Sequence, residues 1–313
     1  MFTVIGEALL DLVQVEPKGP FAAKPGGGPL NIAVGLARLG HPTELKARLS
    51  TRPLGALLRD HALANSVGLS SCIETEDQTT LAFASLDDQH RASYEFYVSG
   101  TADWGWSSDE LASLPSGTLA VHAGSLTATL IPGADVLLGL WERLAGEDEL
   151  FLSYDPNVRP DVAGLREASV RRVERFVAAS HLVKVSDEDL AWLYPHTPHL
   201  DVVRRWSMTG PELVVMTRGA DGCVAVKATG ESMELPGVNV EVVDTIGAGD
   251  SFAAGLLSGL ADVGCLRPRA ISAQPVESLH AALQRAIDVS AMTCERAGAD
   301  PPTRARYDAM RSV

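Results

Sequence analysis

One stretch near the carboxyl end, residues 243–257, constrains this chain more than any other. A β-branched apolar run ends at Asp244, a glycine-rich turn follows at residues 247–249, and helical character begins at Ser251. This order predicts a strand, a tight turn and a helix. Free backbone amides at a helix N-terminus bind anions because the positive end of the helix dipole lies there. The stretch therefore predicts an anion-binding turn that suits phosphate.

Asp250 follows this turn directly, where a bound phosphate would repel its carboxylate. An acid in this place is useful if it accepts a proton from a hydroxyl that attacks the phosphate. The arrangement is typical of a phosphotransferase. On these residues alone, an ordinary strand-to-helix turn with Asp250 in the first helical turn is an open alternative.

The composition sets the class of protein and excludes some partners. The 313 residues are 46% hydrophobic and 21% charged, which is ordinary for a globular α/β protein of one or two domains. A formal net charge of −14 argues against nucleic acid or an anionic membrane as the main partner. No apolar run reaches the ~18 residues needed to span a bilayer, and the N-terminus does not resemble a signal peptide. We therefore expect a cytoplasmic protein.

The four cysteines are scattered without CxxC spacing, so the sequence suggests neither a zinc site nor a disulfide framework.

Two features near the amino end suit ligand binding. Residues 2–5 read as a buried strand, and Asp11 comes soon after it, where open α/β sheets bind ligands. Three glycines at 26–28 open a helix from Asn31, and they would let a ligand approach the backbone while Asn31 bonds a polyol. A solvated loop carboxylate and a flexible connector are the alternatives for these two features.

From residue 119 the chain alternates between strand and helix. We expect strands at 119–123, 150–154, 181–185, 213–217 and 223–227, and helices at 131–145, 168–179 and 187–193. Such βαβ succession implies a parallel sheet with helices on both faces, and right-handed crossovers place the loops after the strands along one edge. That edge collects Asp11, Asp155, Asn157, Arg159, Ser186, Asp189, Thr217 and Gly219.

We expect a single domain over residues 1–313, because neither an internal repeat nor a long linker appears. Residues 79–99 alternate between apolar and polar side chains, as in a β-hairpin. Segments near 12–25 and 79–104, the second of which contains this hairpin, would form a small β lid. A helix at about 277–295 should close the chain.

The chain resembles a known family. Residues 26–33 are similar to the first signature of the ribokinase-like (phosphofructokinase-B type) carbohydrate kinases, and residues 244–252 to the second. The two signatures stand about 215 residues apart in the expected order. Within the family the fructokinases are most similar, through stretches such as 155–159 and 184–189. The resemblance implies a three-layer α/β/α sandwich around a mostly parallel sheet, with a small β lid.

The resemblance also implies roles for individual residues. Asp250 would be the general base, and Gly247, Ala248 and Gly249 would stabilise charge on the transferring phosphoryl group. Sugar-binding residues would be Asp11, Gly27, Asn31 and Arg159. Nucleotide-binding residues would be Ser186, Thr217, Gly219 and Gly222. Asp189 stands where many members have a glutamate that holds Mg²⁺ through water.

A K⁺ site built from backbone carbonyls is common in the family. Asp244, Ile246 and Gly298 match it, whereas Pro302 stands where some members carry a hydroxyl residue. Arg52 is a second departure, because relatives often have an acid there.

We therefore predict an ATP-dependent sugar kinase that phosphorylates a terminal hydroxyl of a ketohexose such as fructose. Alternatives within the class are 2-keto-3-deoxygluconate, whose carboxylate Arg159 would pair, and then ribose or nucleosides. A catalytically inactive sugar or nucleotide sensor is the alternative outside it. We also expect that two copies of the chain pair through the lid.

Overall fold

The computed structural model describes residues 1–14, 16, 18–86 and 92–311. The described residues form the strands β1 Phe2–Ile5, β2 Leu9–Gln14, β3 Phe21–Gly26, β4 Thr43–Lys46, β5 Arg48–Ser50, β6 Ile73–Thr75, β7 Leu81–Leu86, β8 Ala92–Tyr97, β9 Ala120–Gly124, β10 Phe151–Asp155, β11 Leu182–Ser186, β12 Leu213–Thr217, β13 Cys223–Lys227 and β14 Ser232–Leu235. Their α-helices are α1 Gly28–Arg38, α2 Pro53–Ala64, α3 Ser108–Leu111, α4 Gly133–Glu147, α5 Pro160–Ala163, α6 Arg166–Ala178, α7 Asp187–Leu193, α8 His199–Ser207, α9 Ala248–Asp262, α10 His280–Cys294 and α11 Arg304–Arg311.

An eight-stranded sheet forms the centre of the fold. Its order is β14–β13–β12–β11–β10–β9–β1–β4, and the six strands from β12 to β4 run parallel. Strand β13 pairs antiparallel with β12, and β14 pairs antiparallel with β13. Neighbouring side chains of each strand point to opposite faces: Val4 packs into one core and Ile5 into the other. Helices α1, α9 and α10 cover the first face, and α4, α6, α7 and α8 cover the second.

Helix α9 is buried along nearly its whole length, because neighbouring helices pack against it closely. Gly35 of α1 faces Ala254, and a β-carbon added at Gly35 would lie 2.7 Å from the β-carbon of Ala254. On another side of α9, a β-carbon at Gly259 would lie 2.5 Å from the α-carbon of Ala282 in α10. Small residues thus hold α9 in place between two helices.

A second sheet of four strands lies beside the large one, in the order β3–β2–β7–β8. The backbone reaches it from β1 through residues 6–8, and β2 pairs with β3 antiparallel and with β7 parallel. The segments expected in a lid therefore share one sheet, although whether this sheet opens and closes stays a prediction. The turn expected at residues 87–90 lies outside the described residues.

The prediction of a strand before the glycine turn at residues 247–249 is wrong. Residues 236–246 are irregular, and Val243 is 61% exposed. The amides of Val243 and Asp244 donate to the carbonyl of Cys294 at the end of α10 and not to a strand. Asp11 also differs from expectation: it lies inside β2, paired with Lys24, rather than in a loop. The helix expected from Asn31 begins three residues earlier, in the glycine run itself.

The remaining differences are smaller. The tail helix begins at His280 after a 3₁₀ turn at Val276–Leu279, and α8, α11 and several short strands were not predicted. Arg52 donates from Nε to the carbonyl of Glu76 at 2.9 Å, which is a structural contact at the start of α2. Within the part of the chain described above, no helix is both long and apolar enough to cross a membrane.

The packing of α9 generates a stability prediction with a matched control. Gly259→Ala should lower the free energy of unfolding by about 1–3 kcal/mol, because its new methyl group meets the backbone of α10. Gly139→Ala, at an exposed position in α4 with open space around it, should raise that free energy by about 0.5–1 kcal/mol. Urea denaturation of both variants measures the difference, and equal effects would contradict the packing argument.

Candidate active site

A cleft of about 620 Å³ opens where the carboxyl ends of the parallel strands meet the small sheet. The predicted site residues that line it are Asp11, Gly27, Asn31, Arg159, Ser186, Asp189, Thr217, Gly219, Ile246, Gly247, Gly249 and Asp250. Segments more than 200 residues apart in sequence thus share one cavity. Ala248, Gly222, Asp244 and Gly298 lie outside the cleft lining.

The glycine turn at residues 247–249 begins α9 at the cleft. Gly247 has a left-handed backbone with φ 75°, and a β-carbon there would lie 2.5 Å from that of Ala299. The amide of Ala248 donates to the carbonyl of Thr245 at 3.2 Å, whereas no backbone acceptor among the described residues takes the amide of Gly249. The first turn of a fifteen-residue helix therefore presents a free amide and a positive dipole end to the cleft.

Asp250 lies at the meeting point of the two glycine-rich turns, and only 8% of the residue is exposed. Its Oδ2 accepts a hydrogen bond from Asn31 Nδ2 at 2.8 Å, and Asn157 Nδ2 lies 3.5 Å from its Oδ1. A β-carbon at Gly28 would stand 3.3 Å from Oδ1, so the glycine leaves room for the carboxylate. Burial raises the pKa of Asp250 to about 6, although the Asn31 hydrogen bond and Lys184 oppose the rise.

Asp11 faces Asp250 from the small sheet. Burial, and then the negative charge of Asp250, raise the pKa of Asp11 to about 6, while Arg159 and Lys24 lower it. A β-carbon at Gly26 would lie 2.0 Å from Asp11 Oδ2, so this glycine makes space for the side chain. The cleft therefore holds two coupled carboxylates, each with a raised pKa.

Two basic side chains offset these charges. Arg159 Nη1 donates to Asn157 Oδ1 at 2.7 Å, which fixes the guanidinium beside the amide that approaches Asp250. Lys184 Nζ lies 2.9 Å from Asp155 Oδ2, and both residues are buried. Burial alone would lower the pKa of Lys184, but the carboxylates around it, with Asp155 foremost, raise it.

Lys184 is a functional candidate that the sequence reasoning did not single out. Its Nζ would stand 3.2 Å from a β-carbon at Gly249, so the ammonium lies against the first turn of α9. The sequence could have indicated it, because this lysine lies among the apolar residues of strand β11. The neighbouring strand β10 ends at Asp155. A buried charge of this kind needs a buried partner, and the neighbouring strand end supplies it.

Asp189 and Ser186 form the capping box that starts α7. Asp189 Oδ2 accepts the Ser186 amide at 3.1 Å, and its Oδ1 accepts the Val158 amide at 2.7 Å. Burial, followed by the charge of Asp155, raises the pKa of Asp189. Among the described residues no group of three or more His, Cys, Asp and Glu side chains forms a direct metal site.

The expected nucleotide turn follows β12. Thr217 and Gly219 line the cleft, whereas Gly222 closes the turn behind them: its carbonyl accepts the Arg218 amide at 2.8 Å. Gly222 has φ 83°, and a β-carbon there would lie 2.1 Å from the Leu235 carbonyl oxygen. The structure thus gives Gly222 a backbone role in shaping the turn.

The three residues of the expected K⁺ site are drawn together by one carboxylate. Asp244 Oδ1 accepts the Ile246 amide at 3.0 Å, and its Oδ2 accepts the Gly298 amide at 2.7 Å. The carbonyl of Gly298 accepts the Asp300 amide at 2.8 Å. The two loops on either side of the turn at residues 247–249 are therefore tied to each other.

The raised pKa of Asp250 generates a prediction about stability. A carboxyl group whose pKa is raised in the folded state loses stabilising free energy as the pH rises from its unfolded pKa through its folded pKa. Asp250→Asn removes this loss. The free energy of unfolding of the variant minus that of wild type should therefore be about 2 kcal/mol larger at pH 7 than at pH 4. Urea denaturation at both pH values measures it, with the exposed Asp109→Asn as the control for one lost charge. An advantage that does not change with pH would contradict the burial argument.

The chain is similar to known proteins over most of its length. The model of the pfkB family of carbohydrate kinases matches residues 1–306. A fructokinase of Rhizobium leguminosarum bv. trifolii is 33% identical over 283 residues, which cover 89% of this chain and 85% of that protein. A fructokinase of Xylella fastidiosa, solved with bound ATP, has a TM-score of 0.89 at 26% identity and covers 100% of this chain and 99% of its own.

A second solved structure is similar over nearly the same length. It is an aminoimidazole riboside kinase of Salmonella enterica in complex with aminoimidazole riboside and an ATP analogue, with a TM-score of 0.84 at 26% identity over 98% of each chain. The ribokinase-like α/β fold expected from the sequence is confirmed. The family match spans both glycine turns and the cleft between them, and the chain belongs to the pfkB family of carbohydrate kinases.

Proposed function

We propose that this enzyme transfers the γ-phosphate of ATP to a terminal hydroxyl of a ketohexose, with fructose as the substrate. The observation that carries the proposal is the buried Asp250 carboxylate, which meets a helix N-terminus, Asn31 and Asp11 in one cleft. Support for fructose comes from the fructokinases to which the chain is similar.

Asp250 acts as the general base. The hydroxyl oxygen of the sugar forms a bond to the γ-phosphorus, the bond from that phosphorus to the ADP oxygen breaks, and the hydroxyl proton passes to Asp250. A pKa of about 6 suits this role, because the carboxylate is ionised near neutral pH and is more basic than an ordinary aspartate. The hydrogen bond from Asn31 fixes the orientation of its Oδ2.

The turn at residues 247–249 stabilises charge on the transferring phosphoryl group. The free amide of Gly249, the dipole of α9 and the Lys184 ammonium beneath them form a compact positive site in an otherwise acidic protein. In-line transfer needs little more from a protein than such positioning and charge stabilisation.

The sugar is held on the side of the small sheet. Asp11 accepts hydrogen bonds from its hydroxyl groups, and Asn31 exchanges hydrogen bonds with them. Gly27, with φ 105°, lets the backbone approach the ring. Arg159 completes this wall of the cleft. Closure of the small sheet over the sugar would exclude water from the transfer.

The nucleotide occupies the side formed by Ser186, Thr217 and Gly219, and the fold of the turn depends on Gly222. Mg²⁺ bound with ATP would neutralise phosphate charge. Each oxygen of Asp189 accepts one amide and keeps a second lone pair, which fits contact with a metal-bound water.

K⁺ activation through the carbonyls of Asp244, Ile246 and Gly298 belongs to the same proposal. The loops that carry these residues adjoin the turn at 247–249, so a cation there would steady the anion site. A rate of phosphoryl transfer that is the same in K⁺ and in tetramethylammonium would contradict K⁺ activation.

We further propose a cytoplasmic homodimer that pairs through the small sheet. The face of this sheet opposite the cleft carries an aromatic cluster, in which Phe83 contacts Phe21 and Tyr97 with ring centroids 5.4 and 5.1 Å away. Phe21 is 42% exposed and Tyr97 51%. Exposed aromatic surface of this kind favours association. A monomer mass by light scattering at micromolar concentration would contradict pairing.

A coupled assay with ATP and a panel of acceptors tests the proposed substrate. We expect kcat/KM to be at least about tenfold higher for fructose than for 2-keto-3-deoxygluconate, ribose and aminoimidazole riboside. Turnover of the carboxylated sugar alone would replace fructose as the substrate and would favour Arg159 as the partner of its carboxylate. Preference for a riboside would favour the function of the Salmonella neighbour, and binding of sugars without turnover would favour a sensor.

A further inference from the structure

A second cavity, of about 470 Å³, lies outside the active-site cleft. It is formed where the ends of α1 and α2 meet the loop at residues 296–303 and the start of α11. We call it the arginine pocket, because Arg38, Arg296 and Arg306 reach it from three different segments.

The charge of the arginine pocket is opposite to that of the protein. The chain has 40 acidic and 26 basic residues, yet three guanidinium groups and one carboxylate, Asp300, line this cavity. The hydroxyl groups of Ser66 and Thr303 add further hydrogen-bond donors. A lining with many donors and an excess of positive charge is complementary to an anion with several oxygens.

Asp300 occupies part of this pocket as an internal anion. It pairs with Arg38 on one side and with Arg296 at 2.6 Å on the other. The third guanidinium, that of Arg306, forms no hydrogen bond or ion pair within the described parts of the chain. The pocket therefore holds one unpaired cation beside two cations that share a single, partly exposed carboxylate. Arg38 also donates to Asn65 Oδ1 and to the carbonyl of Pro301, each at 2.7 Å.

We propose that the arginine pocket binds a phosphoryl group, either inorganic phosphate or a small phosphate monoester. The ligand would contact Arg306 and compete with Asp300 for Arg38 and Arg296. Arginine suits this ligand because its planar donors match phosphate oxygens in pairs. The binding itself does not depend on the kinase activity proposed above.

The pocket is connected to the active site by a short path of contacts. Asp300 donates its amide to the carbonyl of Gly298, and the Gly298 amide is held by Asp244. Between them, Ala299 packs against Gly247 at the turn that opens α9. A ligand that draws Arg38 and Arg296 away from Asp300 would loosen this loop, so we expect it to lower kcat; this consequence rests on the proposed function.

Equilibrium dialysis with radiolabelled inorganic phosphate and, separately, with glycerol 2-phosphate tests the binding. Arg306→Gln should weaken binding by about tenfold or more through the loss of a charge-assisted hydrogen bond. Asp300→Asn should strengthen binding, because it removes the competing carboxylate. Arg171→Gln, which removes an exposed charge from α6, is the matched control and should bind like wild type. The two probes distinguish free phosphate from a monoester.

Three results would overturn the proposal. The first is the absence of binding to wild type at millimolar concentration. The second is equal affinity in wild type and Arg306→Gln, because it would show that Arg306 does not contact the anion. The third is weaker binding in Asp300→Asn, because it would show that Asp300 positions the arginines and does not compete with the ligand for them. Circular dichroism of each variant confirms that it is folded, and a kcat lowered by phosphate in wild type but not in Arg306→Gln supports the connection to the cleft.

Discussion

The position of the Asp250 carboxylate depends on the hydrogen bond from Asn31, which joins two segments 219 residues apart. This contact forms only if α1 and α9 lie side by side, and the close approach of Gly35 to Ala254 allows that packing. Each helix begins with a glycine-rich turn at the same end of the sheet. The two turns therefore meet in the cleft, with the carboxylate between them, and they carry the proposed sugar and phosphate sides.

Two basic side chains offset part of the negative charge in and beneath the cleft. Asp11, Asp155, Asp189 and Asp250 converge on the cleft or beneath it, against Lys184 and Arg159. Burial is the main cause that raises the pKa values of Asp11 and Asp250 to about 6, and the charge of Asp250 adds to the rise at Asp11 as that of Asp155 does at Asp250. The same burial that makes Asp250 a stronger base lowers stability as the pH rises from the ordinary aspartate pKa through about 6, which is the usual compromise at a functional site.

Local patterns predicted most of the fold. The alternation of apolar runs and helical spacing predicted five of the six parallel strands to within one residue and missed β4. The ends of β12, β13 and α7 were predicted as observed. The strand expected before the turn at 247–249 failed because β-branched residues alone do not make a strand: a strand also needs a partner, and pairing is a property of the whole sheet.

The candidate site was predicted less completely than the fold. The glycine turns, Asp250 and Asn31 have local signatures, so the sequence indicated them. Lys184 has no such signature, because its importance comes from Asp155 on the neighbouring strand and from the missing side chain at Gly249. Gly222 shows the opposite case, since a motif suggested contact with the nucleotide and the structure gives it a role in the shape of the turn.

The central claim is that Asp250 removes the proton from the sugar hydroxyl, and single-turnover kinetics of Asp250→Asn test it most directly. The neutral amide keeps the size of the side chain and an oxygen that can accept the Asn31 hydrogen bond, so affinities for sugar and ATP, measured separately by calorimetry, should stay within a few-fold of wild type. The rate of phosphoryl transfer should fall by about 10²–10⁴ because the variant has no base for the hydroxyl proton. A rate within a few-fold of wild type would contradict it.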